Sequence, residues 1–191
     1  LLRAAGWRRI DDFAAADAII INTCAVRAGA EDRALGRLAS FKPLKNPSRK
    51  DHARRAGPII AITGCVAQKT GRDLLARTPH LDLVVGTRDW PRLPELLDRA
   101  ARGERLVAID GIDAPLTHGA EADRLSAVKA GVEIMVGCDN FCAYCVVPLT
   151  RGREVSRPLA DVVADIRRLA SEGYREVLLI GQNVNSYRHG G

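Results

Sequence analysis

Three of the five cysteines lie close together as Cys138-x3-Cys142-x2-Cys145, directly after the apolar run Val132 to Val136. Thiolates at this spacing can converge on one metal centre without the chain returning from a distance. A structural zinc site asks for four protein ligands, and none of His52, His80, His118 and His189 falls within the motif. A three-thiolate set suits a 4Fe-4S cluster with one iron left open, whereas a ferredoxin would bring four cysteines to each cluster. The other two cysteines, Cys24 and Cys65, each close a β-branched run, Asp17 to Cys24 and Pro58 to Cys65. An odd cysteine count also argues against a disulfide framework.

These residues need elements to position them, and the apolar pattern supplies candidates. The runs ending at Cys24 and Cys65, with Leu83 to Gly86, read as buried parallel strands. Helices are expected at Ala30 to Phe41, Gly71 to Arg77 and Pro94 to Arg102. Strands alternating with helices imply an α/β fold, an open parallel sheet covered on both faces. Ligands collect at the carboxyl ends of strands in such sheets, so Cys24 and Cys65 share one rim. The alternation resumes with a strand Val132 to Val136, a helix Leu159 to Ser171 and a strand Glu176 to Ile180, one strand-helix-strand unit of a barrel.

Two stretches break the pattern. Lys42 to Arg55 carries six basic residues against one acid, Asp51, and reads as a loop, either simply solvated or in contact with phosphate. Gly111 to Arg124, with Pro115 and Gly119, reads as a linker. The expected division is residues 1–110, a linker 111–126, and residues 127–191.

The 191 residues carry a formal charge of +6 and a pI near 9.4. That excess is compatible with a nucleic-acid partner but does not demand one. The longest apolar runs are far too short to cross a bilayer. The only methionine is Met135, and Leu1 to Gly6 reads as the last turn of a helix closed by glycine. The chain is therefore expected to be a piece of a longer protein.

The stretch Gly137 to Pro158, with Tyr144 before the last cysteine, resembles the methylthiotransferase family of radical S-adenosylmethionine (SAM) enzymes. Gly181-Gln182-Asn183-Val184-Asn185-Ser186-Tyr187 is similar to the MiaB branch, whose members act on N6-isopentenyladenosine in tRNA. Asn22 to Arg27 and Thr63 to Gln68 resemble two cysteine motifs of the family's N-terminal domain. The resemblance implies a methylthiotransferase N-terminal domain followed by the start of a radical SAM partial (β/α) barrel. It implies one 4Fe-4S cluster on Cys138, Cys142 and Cys145, and a second on Cys24, Cys65 and a cysteine upstream of Leu1. SAM would chelate the open iron, with Tyr144 beside its adenine and Gly181, Gln182 and Asn183 as further contacts. The implied reaction replaces the C2 hydrogen of the modified adenosine beside the tRNA anticodon by a methylthio group. One SAM yields a 5′-deoxyadenosyl radical and another the methyl group, with the N-terminal cluster as sulfur donor or carrier.

The resemblance further implies tRNA and an electron donor such as flavodoxin or ferredoxin as partners, a cytoplasmic monomer away from membranes, and a C-terminal RNA-binding domain outside this chain. It assigns no catalytic side chain, and Arg151, Arg153, Glu154 and Arg157 have no role fixed by sequence. A threonylcarbamoyladenosine tRNA or a ribosomal protein is the alternative substrate. A non-catalytic Fe-S electron carrier or RNA-binding module is the alternative of another class.

Overall fold

Alternate residues of one strand serve two cores in the first part of the chain. Along Pro58 to Gly64, Ile60 and Ile62 point to one face of the sheet and Ile59 and Ala61 to the other, as the two-residue period of a strand requires. The computed structural model describes residues 1–27, 29–45, 57–113 and 126–188. It divides into two compact units, Leu1–Ala114 and Pro115–Gly191.

The first unit is a four-stranded, wholly parallel sheet in the order β1 (Ala18–Thr23), β2 (Ile59–Gly64), β3 (Leu83–Val85), β4 (Leu106–Ala108). Helices α1 (Ala30–Ser40) and α2 (Cys65–Arg77) cover one face through Leu38, Ala67 and Leu74. Helix α3 (Leu93–Ala101) covers the other through Leu93, Leu96, Leu97 and Ala100, joined there by Leu2 and Trp7. At the start of the chain the Gly6 N–H donates to Arg3 O and the Trp7 N–H to Leu2 O, with Gly6 at φ +86°, the bond pattern of a glycine helix stop.

The second unit pairs β5 (Lys129–Glu133) in parallel with β8 (Glu176–Ile180), the crossover between them carrying α5 (Leu159–Ser171). Ala130, Val132, Ile134, Met135, Val162 and Leu169 form its core. A short antiparallel pair, β6 (Met135–Val136) with β7 (Val155–Ser156), and helix α4 (Val147–Arg151) frame the cysteine loop.

Several boundaries differ from expectation. The helix read as Gly71 to Arg77 begins at Cys65, with no loop after β2. The strand read as Val132 to Val136 starts at Lys129 and changes partner at Ile134. There the Ile134 N–H still donates to Ile180 O, while Ile134 O accepts from the Arg157 N–H. Of the basic stretch, Lys42–Lys45 is a single 3-10 turn whose Lys45 pairs with Asp82 at 2.6 Å. Its remainder, the linker beyond Asp113, and His52, His118 and His189 lie outside the described residues. No helix among the described residues is long and apolar enough to cross a membrane.

Candidate metal centre

In the first unit the register of β1 and β2 ends at Thr23 against Gly64, so Cys24 and Cys65 leave neighbouring strands at the same level. The Thr23 hydroxyl donates to Thr63 O at 2.5 Å and accepts from the Val66 N–H at 3.2 Å. It thereby satisfies one of the donors that an α-helix leaves unpaired at its start. Gly64, at φ +93°, is required here, because a Cβ would collide with Thr23 O. Cys65 is the first residue of α2 and is buried, whereas Cys24 is exposed. Helix N-termini favour anionic ligands.

Gln68, from the same motif, ties the rim together. Its Nε2 donates to Ile109 O at 2.7 Å, and its Oε1 accepts from the Thr87 N–H at 3.1 Å. The motif residues around Cys65 are thus accounted for by the packing of the rim.

In the second unit the cysteine loop leaves β6 through Gly137, at φ +83°, where a Cβ would strike the carbonyls of Gly152 and Arg153. The Cys138 N–H donates to Gly152 O at 3.3 Å, and the Cys145 N–H to Cys142 O at 2.9 Å. Phe141 is the only non-glycine among the described residues with positive φ, +47°, a strained conformation that sharpens the turn into Cys142. The Asp139 carboxylate accepts from the Glu154 N–H and from Arg153 Nε, at 3.0 and 2.9 Å, while the Arg153 guanidinium lies over the Phe141 ring. Cys138 is buried, Cys145 half-buried and Cys142 exposed.

The loop is closed from its other side by residues from the end of β8. Gln182 Oε1 accepts from the Gly137 N–H at 2.7 Å, and the Asn183 N–H points to Met135 Sδ at 3.4 Å. The Ser186 hydroxyl donates toward Glu154 Oε2 at 2.5 Å, with Asn183 O at 2.9 Å. Arg157 is buried, with its guanidinium donating to Glu133 O and to Asp165 Oδ2, both at 2.8 Å. That hydrogen bond from Arg157 holds the Asp165 carboxyl below the usual carboxylate range. The Tyr187 hydroxyl donates to Arg157 O at 2.9 Å.

The structure thus brings Cys138, Cys142 and Cys145 to one loop, with Gly181, Gln182 and Asn183 alongside it. Tyr144 is 89% exposed. Among the described residues no three Cys, His, Asp or Glu side chains converge closely enough to hold a metal ion. What fits a cluster is the chemistry of the donors: three soft thiols on one loop, and two more on a separate rim. Sequence reasoning left Arg153, Glu154 and Arg157 without roles, and did not single out Asp139, Asp165 or Gln68. Their signal is tertiary.

The first unit is thus a parallel sheet with thiols on its carboxyl rim, and the second opens a βαβ unit on a three-cysteine loop. Residues 1–86 match the profile of the uncharacterized protein family UPF0004, and residues 132–191 that of the Radical SAM superfamily. The chain thus carries a UPF0004-type segment followed by the start of a radical SAM domain. Similar relatives include proteins of Geotalea uraniireducens (44% identical) and Geobacter metallireducens (46%), each match covering 98% of this chain and 41% of the relative. One from Anaeromyxobacter dehalogenans is 49% identical, over 92% of this chain and 36% of its own length. All three bear the name tRNA-2-methylthio-N(6)-dimethylallyladenosine synthase. The chain spans about two fifths of the length of the first two.

Proposed function

We propose that this chain carries the cluster-binding elements of a tRNA methylthiotransferase that acts at C2 of N6-isopentenyladenosine next to the anticodon. The observation that carries the reading is the Gly137 to Cys145 loop, held at the carboxyl end of its strand against Gly181 to Tyr187. The names and identities of the relatives support the substrate.

Cys138, Cys142 and Cys145 would hold a 4Fe-4S cluster, which together with SAM supplies one-electron cleavage to a carbon radical able to take hydrogen from an unactivated C–H bond. The chain's own residues perform the positioning. Gly137 permits the loop to press against Gly152 and Arg153, and Asp139 and Arg153 brace it from outside. Tyr144, open in this structure, is free to stack on an adenine. The amides of Asn183 and Asn185 stand on the same rim, where a modified base would be read by polar groups that a wrong base leaves unpaired.

Cys24 and Cys65 would bind a second cluster with a cysteine from outside this chain, serving sulfur delivery. A flavodoxin or ferredoxin is the proposed electron donor, and the expected setting is the cytoplasm.

Two measurements test this. Anaerobic reconstitution of a Cys142→Ala protein should reduce the iron retained on the loop roughly tenfold, because two thiolates do not hold the cluster. Nucleoside mass spectrometry of a deletion strain should show loss of the methylthiolated isopentenyladenosine. Loss of the threonylcarbamoyl analogue instead would reassign the substrate.

A further inference from the structure

We infer that Gln182 is a positioning residue for the cluster loop, acting through the Gly137 peptide, rather than only a contact for SAM. The inference rests on the reading of Cys138, Cys142 and Cys145 as cluster ligands. Three consecutive residues after β8 are latched to β6 and the loop neck. Gly181 lies so close to Met135 that a Cβ would meet its Sδ at 2.6 Å. The Asn183 N–H faces the same sulfur at 3.4 Å. Between them Gln182 reaches across to accept the Gly137 N–H at 2.7 Å.

The donor it satisfies belongs to a buried residue, Gly137, and the bond itself is partly buried, at the point where Cys138 emerges. On its far side the neck has no slack, because Gly137 abuts the Gly152 and Arg153 carbonyls and the Cys138 N–H is bonded to Gly152 O. A buried N–H stripped of its acceptor costs more than an ordinary hydrogen bond contributes. The neck relieves that cost only by turning its amide outward, which carries Cys138 with it. The Gln182 carbonyl therefore fixes where the first ligand sits, while its NH2 group is left to other partners.

The test uses full-length Gln182→Leu and Gln182→Glu proteins, the first without an acceptor and the second with one. Each is examined reconstituted, by EPR without SAM, and again after iron removal, by peptide-resolved iodoacetamide labelling. Gln182→Leu should label Cys138 roughly fivefold faster or more, relative to Cys142. It should also shift the SAM-free cluster signal and lose iron faster on dilution. Gln182→Glu should behave as wild type in all three. If Gln182→Leu fails to fold, Gln182→Asn, one methylene too short, should show the same changes.

Wild-type labelling and a wild-type SAM-free signal in the acceptor-less variants, with only SAM affinity altered, would overturn the inference. A wild-type protein that retains no iron on this loop defeats the cluster reading, and the labelling ratio then still decides whether Gln182 holds the neck.

Discussion

Single side chains and single missing side chains hold the cysteine loop. At Gly137 a methyl group would meet two carbonyl oxygens and the backbone is already at φ +83°. Gly137→Ala should therefore cost about 3 kcal/mol, read as a lower urea midpoint with unchanged slope. Asp165 is the partner of buried Arg157, and its carboxyl is held below the usual range chiefly by that guanidinium's hydrogen bond. The group is depressed in the folded state, so its contribution is present above the unfolded value, near pH 4, and lost as pH falls through the folded value. Its side chain is 34% exposed, so solvent screens the pair, and Asp165→Asn should cost only about 1–2 kcal/mol at neutral pH. Urea midpoints followed from pH 6 downward should converge for wild type and variant once wild-type Asp165 is protonated; a constant gap would show that the carboxylate charge is not the cause. The spacing of Cys138, Cys142 and Cys145 could be read as a ligand set because it is local, whereas Tyr144 entered through the family resemblance and Cys24 and Cys65 through the strand ends on which they lie. Asp139, Arg153, Glu154 and Asp165 were not, because their meaning lies in partners brought to them by the fold.

Elements were legible where the apolar period ran long enough to be distinctive. The helix Leu159 to Ser171 and the strand Glu176 to Ile180 fall where the pattern put them. Strand β4 went unread because three residues, Leu106–Ala108, beside Glu104 and Arg105 show no period. The run from Val132 to Val136 looked like one strand because apolarity does not reveal which neighbour a strand pairs with, and here the partner changes from β8 to β7 at Ile134. Cys65 looked like a strand end because Gly64, from which the helix starts, is still paired with Thr23 in the sheet. The capping group comes from Thr23, forty-three positions away from the Val66 N–H that it accepts. Thr23→Val keeps the shape and removes the hydroxyl, leaving a buried Val66 N–H unpaired. The expected loss is about 1–2 kcal/mol of stability in the first unit, with faster hydrogen exchange at Val66 as the local signature. Unchanged exchange there would mean that the helix start is held by something other than this hydroxyl.

At the scale of the whole molecule, two units with separate cores carry two separate sets of thiols. Cys24 and Cys65 stand on the rim of the four-stranded sheet, while the described bonds that hold the loop of Cys138, Cys142 and Cys145 run within Pro115–Gly191. None of the contacts that set the loop neck, from Gly152, Arg153 and Gln182, involves a residue of the first unit. Chemistry at one set should therefore survive damage to the other. In full-length protein, Cys24→Ala should form 5′-deoxyadenosine from SAM at a rate within about twofold of wild type, since substitutions that share no partners act independently. Methylthiolation of isopentenyladenosine tRNA should fall below detection in the same protein, because the thiol lost belongs to the set proposed to deliver sulfur. The paired assay is chromatography of 5′-deoxyadenosine beside mass spectrometry of digested tRNA. Parallel loss of both products from a folded Cys24→Ala protein would show that the two thiol sets work as one centre, and the division between radical generation and sulfur delivery would have to be abandoned.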